Sequence, residues 1–67
     1  MAIARVTEIS STSTKSFDDA VQQGVARAAK TLRNVRGAWV KEQRVDINDG
    51  NITEYQVNLM VTFVLDD

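Results

Sequence analysis

Apolar side chains occupy every second position near the C-terminal end of the chain, and polar side chains fill most positions between them. The apolar set is Tyr55, Val57, Leu59, Val61, Phe63 and Leu65. A two-residue period is typical of a strand that buries one face. The pattern therefore predicts a strand over residues 52–65, with these side chains facing the core.

A period of three and four residues replaces this alternation between residues 17 and 35. It is traced by Phe17, Ala20, Val21, Gly24, Val25, Ala28, Ala29, Leu32 and Val35. Such a series forms one face of an amphipathic helix. Ser16, followed by Asp18 and Asp19, is the predicted N-cap, with Ser13 as an alternative one turn earlier, and Gly37 is the predicted terminator.

Two further strands complete the predicted fold. Residues 2–9 are rich in β-branched side chains, and residues 38–47 are joined to the last strand by Asn48-Asp49-Gly50-Asn51, whose Asp-Gly pair favours a tight turn. The helical crossover makes the first two strands parallel, and the antiparallel third strand fits between them. We therefore expect one α+β domain over residues 1–67, a βαββ chain whose three-stranded antiparallel sheet has the order 1-3-2.

One helix covers only one face of this sheet, so the second face must be solvated or covered by another chain. If no bulge intervenes, that face carries Trp39, Lys41, Gln43, Val45 and Ile47 from the second strand and Gln56, Asn58, Met60, Thr62 and Val64 from the third. The large apolar members Trp39, Met60 and Val64 favour a partner chain.

The composition excludes several kinds of site. The chain has 67 residues and contains no Cys, His or Pro. Cys/His zinc sites, disulfides, thiol nucleophiles and His-based triads are therefore impossible, and no pair of the remaining groups suggests acid–base work, so we expect a non-enzymatic protein. Because so short a chain seldom completes a core alone, self-association is the expected source of stability.

The net charge is −1 with the two signs interspersed, which argues against nucleic-acid binding. No apolar stretch approaches the ~20 residues of a membrane span, and the N-terminus lacks the features of a signal peptide. We expect a cytoplasmic protein that does not engage membranes.

The sequence resembles the dodecin family over nearly its full length. The similarity is carried by Ser16-Phe17-Asp18-Asp19-Ala20, by residues 26–35, and by the closing run from Tyr55-Gln56-Val57 to residues 63–66. The resemblance implies a sheet that curls round its helix and a hollow homododecamer. It also implies storage or buffering of flavins such as riboflavin, FMN or lumichrome at subunit interfaces.

In typical dodecins a Trp at the start of the second strand stacks on the flavin ring, and a Gln early in the third strand hydrogen-bonds its polar edge. Carried over to this sequence, the glutamine is Gln56, and Gly37 occupies the tryptophan position. The chain is in this respect similar to a branch of the family without that Trp, which includes a calcium-associated member. We therefore expect altered or weakened flavin affinity.

Trp39 lies two residues beyond Gly37 and hence on the same strand face, shifted by about 7 Å. Three roles stay open for it: stacking on a ligand in a shifted pose, filling the vacated pocket, and packing across a subunit interface.

The alternative function is a flavin-free dodecin-like assembly that binds calcium or other cations, or another small ligand. Asp46 and Asp49 lie in an oxygen-rich hairpin without EF-hand spacing, whereas Glu8, Glu42, Asp66 and Asp67 would have to meet around symmetry axes. The basic residues Arg27, Lys30, Arg33 and Arg36 are solvated or ion-paired, or alternatively bind a phosphorylated ligand such as FMN or coenzyme A.

Overall fold

The computed structural model describes residues 2–65, in the order β1 (Ala4–Ser13), α1 (Phe17–Thr31), β2 (Val35–Asn48) and β3 (Asn51–Val64). The strands form one sheet in the order β1-β3-β2, and both neighbouring pairs are antiparallel. The predicted fold class and strand order are confirmed. β3 is central because the helical crossover leaves β1 and β2 one strand apart, and the hairpin brings β3 back between them.

The start of α1 is as predicted. Ser16 is extended, with φ −170° and ψ 167°, and its hydroxyl accepts a hydrogen bond from the Asp19 N–H at 3.0 Å. This bond satisfies one of the backbone donors that a helix N-terminus leaves unpaired, which is why serine is favoured at this position.

The predicted helix end is wrong. α1 ends at Thr31, and Leu32 is already extended with ψ 143°, so Arg33 and Arg36 lie outside the helix. Asn34, with φ 61°, takes the left-handed conformation that a glycine usually supplies at the end of a helix. Asparagine tolerates this conformation, and its carbonyl accepts from the Val64 N–H at 3.1 Å. Strand pairing thus replaces the last predicted helical turn.

β1 extends beyond the predicted residues 2–9, because the polar run after Ile9 pairs along the sheet. Ser10 pairs with Asn58 and Ser13 with Tyr55. Ser13 is buried, and its hydroxyl donates to Asp19 Oδ2 at 2.6 Å and accepts from the Lys15 N–H at 2.9 Å. A polar residue is tolerated there because its hydrogen bonds are made within the protein.

The core lies between α1 and one face of β3. Ala20, Ala28, Val57, Leu59 and Val61 are each at most 3% exposed, and the three from β3 belong to the predicted core face. At Gly24 the two layers come so close that an added Cβ would lie 2.9 Å from Leu59 Cδ1. Small residues on α1 therefore allow the helix to approach the sheet closely.

The β2–β3 hairpin closes with the predicted tight turn, in which Asp49 and Gly50 both have positive φ, at 53° and 76°. Its strands contain irregularities that the alternating pattern does not reveal. One register shift lies between Val40 and Glu42 and leaves Lys41 without a direct partner on β3. An extra residue exchanges the two faces of a strand, so every residue beyond it points the other way.

The predicted face of the second half of β2 is therefore wrong. Gln43 pairs with Val57 and Val45 with Tyr55, on the side covered by the helix, while Ile47 lies beyond a further register shift and pairs with Ile52. The uncovered side instead carries Glu42, Arg44 and Asp46, which pair with Asn58, Gln56 and Glu54 in that order. We call this uncovered side the open face; it includes Glu8, Ser10, Gly37, Trp39, Glu42, Arg44, Gln56, Asn58, Met60 and Thr62.

Candidate functional site on the open face

The open face carries the three residues proposed for flavin binding. Gly37 pairs with Thr62, Trp39 pairs with Met60, and Gln56 lies further along β3 on the same side. Because the Lys41 bulge lies on β2 beyond Trp39, the predicted common face of Trp39 and Gln56 is present in the structure. Both side chains are reachable from outside: Trp39 is 53% exposed and Gln56 is partly exposed.

The fold does not bring these residues into contact within one chain. Gln56 and Met60 are separated by four residues of β3, so Trp39 lies about 13 Å from Gln56 along the strand. Gly37 lies about 20 Å away by the same measure. A flat ligand that touches Gln56 and an aromatic ring at the Gly37 end therefore needs contributions from two chains.

Space is available around Gly37 and Trp39. An added Cβ at Gly37 would have no atom within 4 Å. A separate groove of about 360 Å³ lies on the helix side of the sheet, between α1 and the start of β2, and its lining includes Val21, Val25, Ala38, Val40, Leu59 and Val61. This volume is within the range of small-molecule sites, and the lining is mostly apolar.

Gln56 is held by its neighbours on both sides. Its Nε2 donates to Ser10 Oγ at 3.0 Å and to Asn58 Oδ1 at 3.3 Å, and Asn58 Nδ2 donates to Glu42 Oε1 at 3.1 Å. These bonds join all three strands and restrict the orientation of the Gln56 amide.

Arg44 is the open-face residue that the sequence interpretation missed. It pairs directly with Gln56, and its guanidinium lies 3.5 Å from Asp46 Oδ1. The side chain is 68% exposed, so its cation is available to a ligand or to a second chain. Only the bulge at Lys41 places Arg44 on this face, and nothing in the hydrophobic pattern marks that bulge.

The predicted metal ligands do not form a site within the described part of one chain. Glu8 lies 3.3 Å from Lys41 Nζ, Glu42 accepts from Asn58, and Asp46 is near Arg44. Asp49 belongs to the hairpin turn, and Asp66 and Asp67 lie outside the described residues. Across residues 2–65 there is no group of three or more His, Cys, Asp or Glu side chains arranged to hold a metal ion.

The basic candidates lie away from the open face. Arg27 lines a second groove of about 460 Å³ between α1 and β1, together with hydroxyl side chains such as Thr7, Ser11 and Thr31. Lys30 is in the last turn of α1, and Arg33 follows the helix. Phosphate binding by Arg27, Lys30 and Arg33 stays a prediction, and it concerns a different surface from the one around Gln56.

Within residues 2–65, the helix is neither long nor apolar enough to cross a membrane.

Comparison with known proteins gives a consistent result. The family model described as Dodecin matches residues 3–66. A dodecin of Thermus thermophilus is 42% identical over 60 residues, which cover 90% of this chain and 87% of the relative.

Solved structures agree in fold as well as in sequence. The dodecin from Streptomyces davaonensis superposes with a TM-score of 0.92 at 41% identity, over 98% of this chain and 97% of that one. The calcium dodecin of Mycobacterium tuberculosis, described as a calcium-chelating antigen with a calcium-binding site, gives a TM-score of 0.82 at 31% identity, over 96% and 91% of the two chains. The agreement of family model, sequence and fold over nearly the whole length shows that this chain belongs to the dodecin family.

Proposed function

We propose that this protein is a non-enzymatic dodecin that binds a flavin between the open faces of neighbouring copies in a cytoplasmic homododecamer, and so stores or buffers it. The dodecin family is known to bind flavin, and its proteins are oligomeric small-ligand binders. The observation that carries the proposal is the fixed amide of Gln56 on a sheet face that the chain's own helix leaves uncovered.

The chemistry of the open face suits a flat ring with one polar edge. The amide of Gln56 supplies orientation, and an aromatic side chain supplies a stacking surface. Within one chain Trp39 is too far from Gln56 to share such a ring with it, so the proposed site combines surfaces from two copies. Holding a ligand in this way needs no nucleophile or acid–base pair.

Flavin affinity is expected to be lower than in dodecins with an aromatic ring at the position of Gly37. Gly37 offers no side chain to stack, and Trp39 is shifted by two residues along β2. In this proposal Trp39 either stacks on a shifted ring or packs between copies beside the ligand.

The decisive experiment is a titration of riboflavin and FMN into the purified, ligand-free protein, followed by flavin and Trp39 fluorescence. Binding at micromolar protein is expected to quench both, and Gln56→Ala is expected to weaken it about tenfold by removing the polar contact. Gln43→Ala is the matched control, because Gln43 is an exposed glutamine of the same sheet on the helix side. Absence of quenching in the wild-type protein at micromolar concentration contradicts the proposal.

Calcium binding is the second candidate, favoured by the structural match to the calcium dodecin. Residues 2–65 of one chain hold no cation site, and in this candidate function the ligands come from several copies around a symmetry axis. A ligand that binds only the folded state raises the melting temperature. An unchanged melting temperature at millimolar calcium excludes this candidate, whereas a rise that is larger with calcium than with magnesium supports it.

A further inference from the structure

A continuous series of hydrogen bonds on the open face begins at a carboxylate and ends at a hydroxyl. Glu42 Oε1 accepts from Asn58 Nδ2 at 3.1 Å, and Asn58 Oδ1 accepts from Gln56 Nε2 at 3.3 Å. Gln56 Nε2 also donates to Ser10 Oγ at 3.0 Å. β2, β3 and β1 each contribute to this series.

The Glu42 carboxylate, at which the series begins, determines the orientation of the Asn58 and Gln56 amides. An ionised carboxylate only accepts hydrogen bonds, so Asn58 must turn its NH₂ group toward Glu42 and its carbonyl toward Gln56. Gln56 then donates one amide hydrogen to that carbonyl oxygen and the other to the Ser10 hydroxyl oxygen. If the Gln56 amide were reversed, its carbonyl oxygen would face the Asn58 carbonyl oxygen, and the Asn58 carbonyl would lose its donor.

The bulge in β2 makes this arrangement possible. Without the extra residue Lys41, Glu42 would point to the helix side and could not reach Asn58. Lys41 itself pairs with Glu8, 3.3 Å away. The Glu42 carboxylate is thereby left to orient Asn58.

The orientation leaves one atom of Gln56 for a ligand. Its Oε1 receives no hydrogen bond from any side chain or backbone group of residues 2–65. We propose that Asn58 and Glu42 are positioning residues that present Gln56 as a hydrogen-bond acceptor, so that this site takes rings with an N–H donor, of the cyclic imide class. This inference rests on the proposed function and adds to it the residues that orient Gln56, so that its Oε1 accepts from the ring N3–H of a flavin.

The test compares riboflavin with N3-methylriboflavin, which lacks that donor, in the full-length, ligand-free protein. The wild-type protein is expected to prefer riboflavin by about tenfold or more, because methylation removes one hydrogen bond and adds bulk. In the Asn58→Val variant the Gln56 amide is free to reverse. The affinity for riboflavin is then expected to fall, whereas the affinity for N3-methylriboflavin is expected to stay the same. The ratio of the riboflavin affinity to the N3-methylriboflavin affinity is expected to fall about fivefold to tenfold. The bulk of the methyl group weakens binding equally in both proteins, so the fall in this ratio reports the hydrogen bond alone.

The double variant Glu42→Gln/Asn58→Asp provides the rescue. Its new carboxylate accepts from Gln56, as the Asn58 carbonyl does, and also accepts from the new amide at position 42. It should therefore retain the wild-type preference, which a merely structural role for Asn58 does not predict.

The outcomes separate the two proposals. Riboflavin binding with the same preference in the wild type and in a folded Asn58→Val variant overturns the positioning role and leaves the proposed function intact. If Asn58→Val does not fold, loss of the preference in the double variant overturns the positioning role instead. No riboflavin binding by the wild-type protein overturns the proposed function, and the inference about the ligand fails with it.

Discussion

At the residue scale, the feature that most distinguishes this open face is the glycine at position 37. It lies on an exposed strand position, with no atom within 4 Å of where a Cβ would be, so the fold accepts a larger side chain there. The lack of a ring at this position is therefore a property of the sequence alone, and a single substitution can reverse it.

Gly37→Trp is expected to increase riboflavin affinity tenfold or more. Stacking of a base on an aromatic side chain is worth about 1–3 kcal/mol, and the isoalloxazine ring offers a comparable surface. Fluorescence titration measures the change. Gly37→Leu controls for added apolar area without an aromatic plane, and an equal gain in both variants would show that stacking is not the cause.

Asp19 shows how local hydrogen bonds contribute to the acid sensitivity of the fold. The Ser13 hydroxyl lowers the pKa of the Asp19 carboxyl below its ordinary 3.8, partial desolvation opposes this, and Gln23 and the charge of Lys15 lower it further. Because the folded-state pKa is depressed, Asp19 stabilises the fold at pH values above its ordinary pKa. That stabilisation is lost as the pH falls through the folded-state value.

Ser13→Ala should therefore make the stability of the protein less dependent on pH in the acidic range below about pH 5, because it removes the largest cause of the shift. Urea unfolding at a series of pH values measures this. Ser16→Ala is the control, since it removes the N-cap, at a cost of about 1 kcal/mol, without contacting the Asp19 carboxylate. A pH profile for Ser13→Ala that parallels the wild type would contradict the assignment.

At the element scale, the β2–β3 hairpin shows which features a pattern reveals. Alternation predicted the core face of β3, because a half-buried strand must place apolar residues at every second position. The helix start at Ser16 was likewise evident from local chemistry. The helix end and the Lys41 bulge were not, because both depend on how residues far apart in sequence pair: Asn34 with Val64, and Glu42 with Asn58.

The tight turn provides a prediction at this scale. Gly50→Ala is expected to destabilise the protein by about 1–2 kcal/mol, because Gly50 has φ 76° and an L side chain is strained there. Gly37→Ala is the matched control: that strand glycine has open space around it, so alanine is expected to be neutral or stabilising by up to about 1 kcal/mol. Urea midpoints at equal protein concentration measure both, and equal effects would show that the turn geometry is not the cause.

At the scale of the whole molecule, one chain is more extended than a compact domain of its length. Its radius of gyration is 13.8 Å, against about 11 Å for a compact domain of this length. The longest dimension is 51 Å, because the hairpin reaches well beyond the helix. Trp39, Ile47 and Ile52 are each more than half exposed. These features favour burial against further copies of the chain.

Sedimentation of the wild-type protein is expected to give the mass of a dodecamer. Trp39→Lys should lower that mass if Trp39 packs between copies, because a charged group would be buried without a partner. Retention of the dodecamer with loss of riboflavin binding would instead assign Trp39 to the ligand. Gln22→Lys, on an exposed position of α1, is the control, and a monomeric wild-type protein would contradict the assembly altogether.

The sequence by itself determined the elements, the strand order, the core face of β3 and the position of Gln56, since these follow from local periodicity, capping and the topology of a βαββ chain. The tertiary structure decided where α1 ends, that β1 includes the polar run, and that Glu42 and Arg44 share a face with Gln56. The physical reason is that backbone pairing between distant strands sets bulges and register, and one extra residue moves every later side chain to the opposite face.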